Sequence, residues 1–138
     1  MKKFILMICF GLTISCAFAI NPPAAVQKAF AQKFAKATEI KWGKENSNEY
    51  EADFVLEGIN MSANFATDGT WLETETTIPV SQLPAGVTAA IAKQYPNSTV
   101  IEADKIESAG KVTLYETEIK TGTKKKEVVF DDKGVVQK

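Results

Sequence analysis

Three pairs of carboxylates stand two residues apart: Glu51 and Asp53, Glu73 and Glu75, Glu116 and Glu118. In an extended strand that spacing puts both members of a pair on one face. Trp71 has the same parity as Glu73 and Glu75, which predicts an indole beside the acids. Such a face offers recognition chemistry: carboxylates for basic or polar groups, and an aromatic anchor that buries much area at little entropic cost. The competing reading is a solvated sheet face balanced by lysines. Paired acids also serve glycoside hydrolysis, but there they flank a cleft and one is held protonated in apolar surroundings. A flat face of acids does neither. Calcium prefers carboxylate oxygens, yet no Asp-x-Asp-x-Asp-Gly loop occurs, and Asp131-Asp132-Lys133-Gly134 reads as a turn. The sequence therefore calls for no metal and no cofactor, while leaving open whether the acidic face takes calcium.

The missing residue types exclude more. The chain has no His, and all 16 basic residues are Lys, so it has no Arg. Its two cysteines, Cys9 and Cys16, lie near the N-terminus. A His-dependent triad, a His or Cys metal site and an Arg phosphate clamp are ruled out, and the serines lack a His base. The expectation is a protein that is not an enzyme. The 138 residues suit one domain.

Residues 1–19 read as a secretory signal peptide. Lys2 and Lys3 form its positive start, Phe4 to Ile14 its apolar stretch, and Ala17-Phe18-Ala19 its cleavage site. The apolar stretch is too short for a good membrane span. Cleavage after Ala19 leaves a domain at 20–138, periplasmic or secreted, with no membrane span. A lipoprotein attached through Cys16 is the weaker reading, because Leu12 stands four residues before it rather than three. The mature chain has no Cys, so its core must hold it. Loss of Lys2 and Lys3 leaves it acidic, which argues against nucleic acid as a partner.

A weak internal repeat organises the rest. Val26, Phe30, Phe34, Thr38 and Ile40 align with Val87, Ile91, Tyr95, Thr99 and Ile101, and Tyr50-Glu51 aligns with Tyr115-Glu116. Each half reads as one helix followed by strands. Asn21 is expected to cap the first helix, with Pro22 and Pro23 in its first positions. Val26, Ala29, Phe30, Phe34 and Ala37 recur at helical spacing. Pro96 stops the second helix. Strands are expected at 40–45, 50–57, from Met61, at 71–78, 100–106, 112–120, 127–130 and 135–138. The expected fold is α+β: a tandem repeat of one helix plus a four-stranded antiparallel segment. Repeat one spans 21–79 and repeat two 81–138, with both helices packed on one face of a single sheet. Phe30, Phe34, Phe54, Phe65, Ile91, Tyr95, Ile119 and Phe130 should form its buried layer. Trp42 shares the parity of Ile40 and is assigned to the core, and Lys124-Lys125-Lys126 is assigned to a soluble hairpin tip.

Several short motifs resemble PepSY-like, beta-lactamase-inhibitor-like periplasmic proteins: Lys33-Phe34, Trp42, Tyr50-Glu51-Ala52, Gly69-Thr70-Trp71-Leu72-Glu73-Thr74-Glu75, Leu83-Pro84, Tyr95-Pro96, Tyr115-Glu116 and Phe130-Asp131. The resemblance implies that tandem helix-plus-strands fold and a non-catalytic role, binding or inhibiting a secreted enzyme or peptide. Two function classes follow. One is an exported module that recognises a secreted or periplasmic protein or peptide through its open sheet face. The other is a structural or accessory envelope protein with no specific ligand.

Overall fold

The computed structural model describes residues 20–137. The expected signal peptide, its cleavage site and Cys16 lie outside the described residues. Two ten-residue helices, α1 (Ala24–Lys33) and α2 (Ala85–Gln94), accompany seven strands: β1 (Thr38–Asn46), β2 (Glu49–Leu56), β3 (Ile59–Ala66), β4 (Trp71–Thr77), β5 (Thr99–Ser108), β6 (Thr113–Thr121) and β7 (Lys124–Phe130). A short 3-10 turn, Val80–Gln82, precedes α2. The strands form one antiparallel sheet in chain order, β1 to β7. Tight turns join strands within each half, whereas α2 lies between β4 and β5.

This corrects the expected repeat of two helix-plus-four-strand units. Among the described residues the second half carries three strands rather than four, and β4 pairs with β5 from Glu73↔Ser108 to Thr77↔Asp104, which leaves one seven-stranded sheet. The eighth strand, expected at 135–138, does not form among the described residues, which end at 137. Asp131 Oδ1 accepts the N–H groups of Lys133 and Val135 in a tight turn. Beyond it a single bridge pairs Val136 with Phe130. Val135 and Val136 are exposed, so no buried apolar face holds that segment against β7.

Both helices lie on the same side of the sheet. Opposed residues in an antiparallel ladder share a face. Register carries one row from Phe54 through Met61, Thr76, Lys105 and Tyr115 to Phe130. Phe54 packs in the cluster beneath α1 and Phe130 in the cluster beneath α2. The first cluster joins Val26, Phe30 and Phe34 to Ala52, Ala63 and Phe65; the second joins Leu83, Val87 and Ile91 to Ala103, Ile119 and Val128. Thr74, Thr76, Lys105 and Glu107 occupy the same face on the strands between them. Of the expected buried layer, only Tyr95 is half-buried instead. Trp42, also half-buried, packs edge-on against Phe30 at 5.2 Å between ring centres.

The start of α1 differs from expectation: it begins at Ala24, so Pro22 and Pro23 precede it rather than occupy its first positions. Pro23, not Asn21, precedes the first helical residue, and no side chain caps the helix. Asn21 Oδ1 instead accepts a hydrogen bond from Gln27 Nε2 at 2.9 Å. The second helix ends at Gln94, where Tyr95 leaves the helical region ahead of Pro96.

Candidate binding site: the acidic face of the sheet

The face opposite the helices gathers most of the acids. β2 brings Glu51 and Asp53, which stand across from Asn64 and Ser62 on β3. These in turn oppose Glu73 and Glu75 on β4. Asp104 of β5 opposes Glu116 of β6, and Glu118 lies between Glu102 of β5 and Glu127 of β7. The six carboxylates predicted from spacing therefore share one face.

Trp71 does not join them. It pairs with Phe65, whereas Glu73 pairs with Asn64, the preceding residue of β3. Neighbouring residues of a strand point to opposite faces, so a bulge at Leu72 sets Trp71 and Glu73 on opposite sides. Trp71 instead packs against the cluster beneath α1. There Lys33 Nζ lies 3.9 Å from its ring centre, and its indole N–H donates to Thr74 Oγ1 at 2.9 Å. The expected aromatic anchor of the acidic face is absent from it.

The sheet curls on this side into a recess of about 310 Å³. Glu39 and Lys41 of β1 line one wall, Glu102, Asp104, Glu116, Glu118 and Glu127 the other, and Ser62 and Glu75 lie between. Across from Glu75, Ile106 lies on the same face and is 1% exposed. Glu102, Asp104 and Glu127 were not singled out from the sequence, although Glu102 and Asp104 show the same two-residue spacing as the predicted pairs.

Positive charge is sparse here. Lys125 Nζ reaches Glu118 at 3.1 Å, and Lys41 lines the recess. The other expected tip lysine with a defined partner, Lys126, lies over the Tyr95 ring at 5.1 Å. Glu116 is 8% exposed, and no hydrogen bond or ion pair reaches its carboxyl from the described residues. Glu73, also buried, accepts a hydrogen bond from Asn64 Nδ2 at 3.3 Å. The other atom of that amide, Asn64 Oδ1, is buried without a partner among the described residues.

Burial with little compensating charge raises these acids. Loss of solvent, then the neighbouring Glu116, pushes Glu75 up to about 8. Burial, then Asp53, pushes Glu51 up to about 7. Burial, then Glu127, pushes Glu116 up to about 7. Asp104 is raised by burial, offset in part by a hydrogen bond from Thr77.

These shifts make folding proton-linked. Glu75 has an ordinary value of 4.5 in the unfolded chain and about 8 when folded. Below 4.5 it is protonated in both states and costs nothing. Between the two values the folded protein holds more protons, so stability falls as pH rises, and it levels off above about 8. The melting temperature is expected to be higher near about pH 5.5 than near about pH 9, with a shallower slope in Glu75→Gln. Equal melting temperatures at the two pH values would contradict this electrostatic picture. Among the described residues, no three acids come together in a way that could hold a metal ion.

An antiparallel sheet backed by helices on one face and hollowed by acids on the other defines the class of fold. The family model described as "Putative beta-lactamase-inhibitor-like, PepSY-like" matches residues 48–138. The chain belongs to this PepSY-like family. Among solved structures, it resembles a protein from Bacteroides eggerthii DSM 20697, described as "putative periplasmic", at 23% identity and a TM-score of 0.77. That match covers 86% of this chain and 88% of the other. A DUF2874 family protein from Bacteroides uniformis ATCC 8492 is similar at 20% identity and a TM-score of 0.76, over 86% and 88% of the two chains. A BLIP-like protein from Bacteroides fragilis NCTC 9343 matches at 27% identity and a TM-score of 0.68, over 86% and 85%. No curated protein matches the chain. No helix among the described residues is long and apolar enough to cross a membrane.

Proposed function

We propose that this is an exported, non-catalytic binding module. Its leader, residues 1–19, is removed, and the domain at 20–138 recognises a protein or peptide through the hollowed acidic face. The partner presents basic side chains, and Glu51, Asp53, Glu73, Glu75, Glu116 and Glu118 receive them. The observation that carries this reading is Glu116: a carboxyl 8% exposed, lining the recess, without a counter-charge from the described residues. A buried unpaired carboxylate is costly. An incoming ammonium or guanidinium supplies the missing charge and gains charge-assisted hydrogen bonds. The recess, at about 310 Å³, has room for individual side chains rather than a folded element, which suits a loop or extended peptide. The inhibitor-like description of the family and the BLIP-like neighbour support protein recognition. With Trp71 on the other face, charge rather than an aromatic anchor drives the encounter, so binding weakens with salt.

The test is capture of envelope and secreted proteins by the mature domain, compared with Glu75→Lys/Glu116→Lys. A partner held through this face is lost roughly tenfold or more in the variant, since reversing two contacting charges replaces attraction by repulsion. Capture unchanged by the reversal would reject the face as the site. Capture of nothing specific would favour the accessory envelope protein.

A further inference from the structure

The recess sets like charges directly across from one another: Asp104 against Glu116, and Glu118 between Glu102 and Glu127. Opposed like charges destabilise a sheet. Two states relieve the buried Glu116: a proton on the carboxyl, or a cation beside it. We propose that these states are alternatives, so that the recess exchanges its own protons for the cationic groups of its ligand. This rests on the reading of the recess as a surface for basic side chains, and it adds the regulation of that site.

The surroundings of Glu75 leave little else to neutralise it. β1 contributes Glu39 and Lys41, β2 Glu51 and Asp53. β3 contributes only uncharged groups, with Ser62 directly across. On its own strand stands Glu73, on β5 Asp104 and on β6 Glu116, all of which add negative charge. Farther out, Glu45 and Glu49 act on the Glu51 and Glu73 end, and Glu102, Glu118 and Glu127 on the Glu116 end. Lys125 is engaged by Glu118. Asn64 Oδ1, on the same face and in register with Glu51, is also buried without a partner among the described residues. The upward displacement of Glu75, Glu51 and Glu116 agrees with retained protons. Near pH 7 Glu75 and Glu116, which line the recess, hold part of their protons, and a cation must expel them.

The direction follows. A cation gains little from neutral carboxyls, so uptake is weak at low pH and strengthens as they ionise. The protein purified from cells is titrated calorimetrically with hexa-arginine capped at both ends, whose charge is constant over the range. Binding is expected to be tenfold or more tighter at about pH 8.5 than at about pH 6. At neutral pH its heat should differ between two buffers of different ionisation enthalpy, reporting released protons. Glu75→Gln, which keeps the side-chain shape, should release fewer protons. Binding with equal affinity at both pH values and buffer-independent heat would overturn the exchange while leaving the recess as the site. Absence of binding at the higher pH would overturn both.

Discussion

Replacing Phe30 by Ala is expected to cost about 3–5 kcal/mol of folding stability, close to the whole margin of a small domain. Phe30 is 3% exposed. Its ring lies 5.0 Å from Phe54, 5.2 Å from Trp42, 5.3 Å from Phe34 and 6.2 Å from Phe65. Truncation removes a large apolar group and leaves a cavity walled by four other rings. It also removes edge-on and tilted contacts, each worth about 0.5–1.5 kcal/mol beyond area burial. The helix that carries it has ten residues and no side-chain cap. A helix that short is marginal alone, so its stability comes from docking on the sheet. Urea unfolding followed by far-ultraviolet circular dichroism measures the loss, and Phe30→Leu, which keeps much of the volume, should lose less. A loss below about 1 kcal/mol for the alanine variant would contradict the assignment of Phe30 as the hub of this core.

Gly134→Ala is the second large effect. Gly134 has φ +82°, in the left-handed region, and its turn rests directly on the start of α2. An added Cβ would collide with the carbonyl oxygen of Gly86, and would lie 2.7 Å from its carbon and 2.8 Å from Ala90 Cβ. Backbone cannot yield as a flexible side chain can, so the turn must lift off the helix. Left-handed strain of about 1–2 kcal/mol adds to overpacking of about 1–3 kcal/mol, giving an expected loss of about 2–5 kcal/mol. Gly58 separates the two contributions. It has the same φ of +82° but nothing within 4 Å of an added Cβ, so Gly58→Ala should cost only the conformational part. Equal losses at the two positions would refute the close approach of turn and helix. The first half has the counterpart of this contact, where a Cβ on Gly69 would meet the Ala25 carbonyl oxygen at 2.7 Å.

These two contacts also mark what a linear pattern can convey. Asp68-Gly69 and Lys133-Gly134 were readable as turns, because turn geometry is local and selects Gly. That each turn presses on a helix start was not readable, because the close approach exists only once helix and sheet have docked. The similar order of residues in the two halves suggested two repeated units. The single sheet was expected from it, but it could not show that the second half would add three strands rather than four. Nor could it show that residues 135–137 would make only a bridge, since strand formation there depends on burial that the fold does not supply.

The acidic face divides in the same way. That Glu51 and Asp53, Glu73 and Glu75, and Glu116 and Glu118 pair off on one face of their own strands was determined by the sequence alone, because side chains in a strand alternate with a period of two; that the three pairs share a side was decided by the register between strands. The helical faces of Val26 and Phe30, and of Val87 and Ile91, were determined likewise by the helical period. Only the tertiary structure decided that Trp71 lies on the other side. A bulge is a property of the pairing between two strands, and one extra residue reverses the parity of everything before it. Only the tertiary structure, too, curls the sheet so that acids far apart in sequence, Asp53 and Glu127, line one recess. Their raised proton affinity arises there from mutual proximity and lost solvent, which depend on distances in space that residue spacing along the chain does not contain.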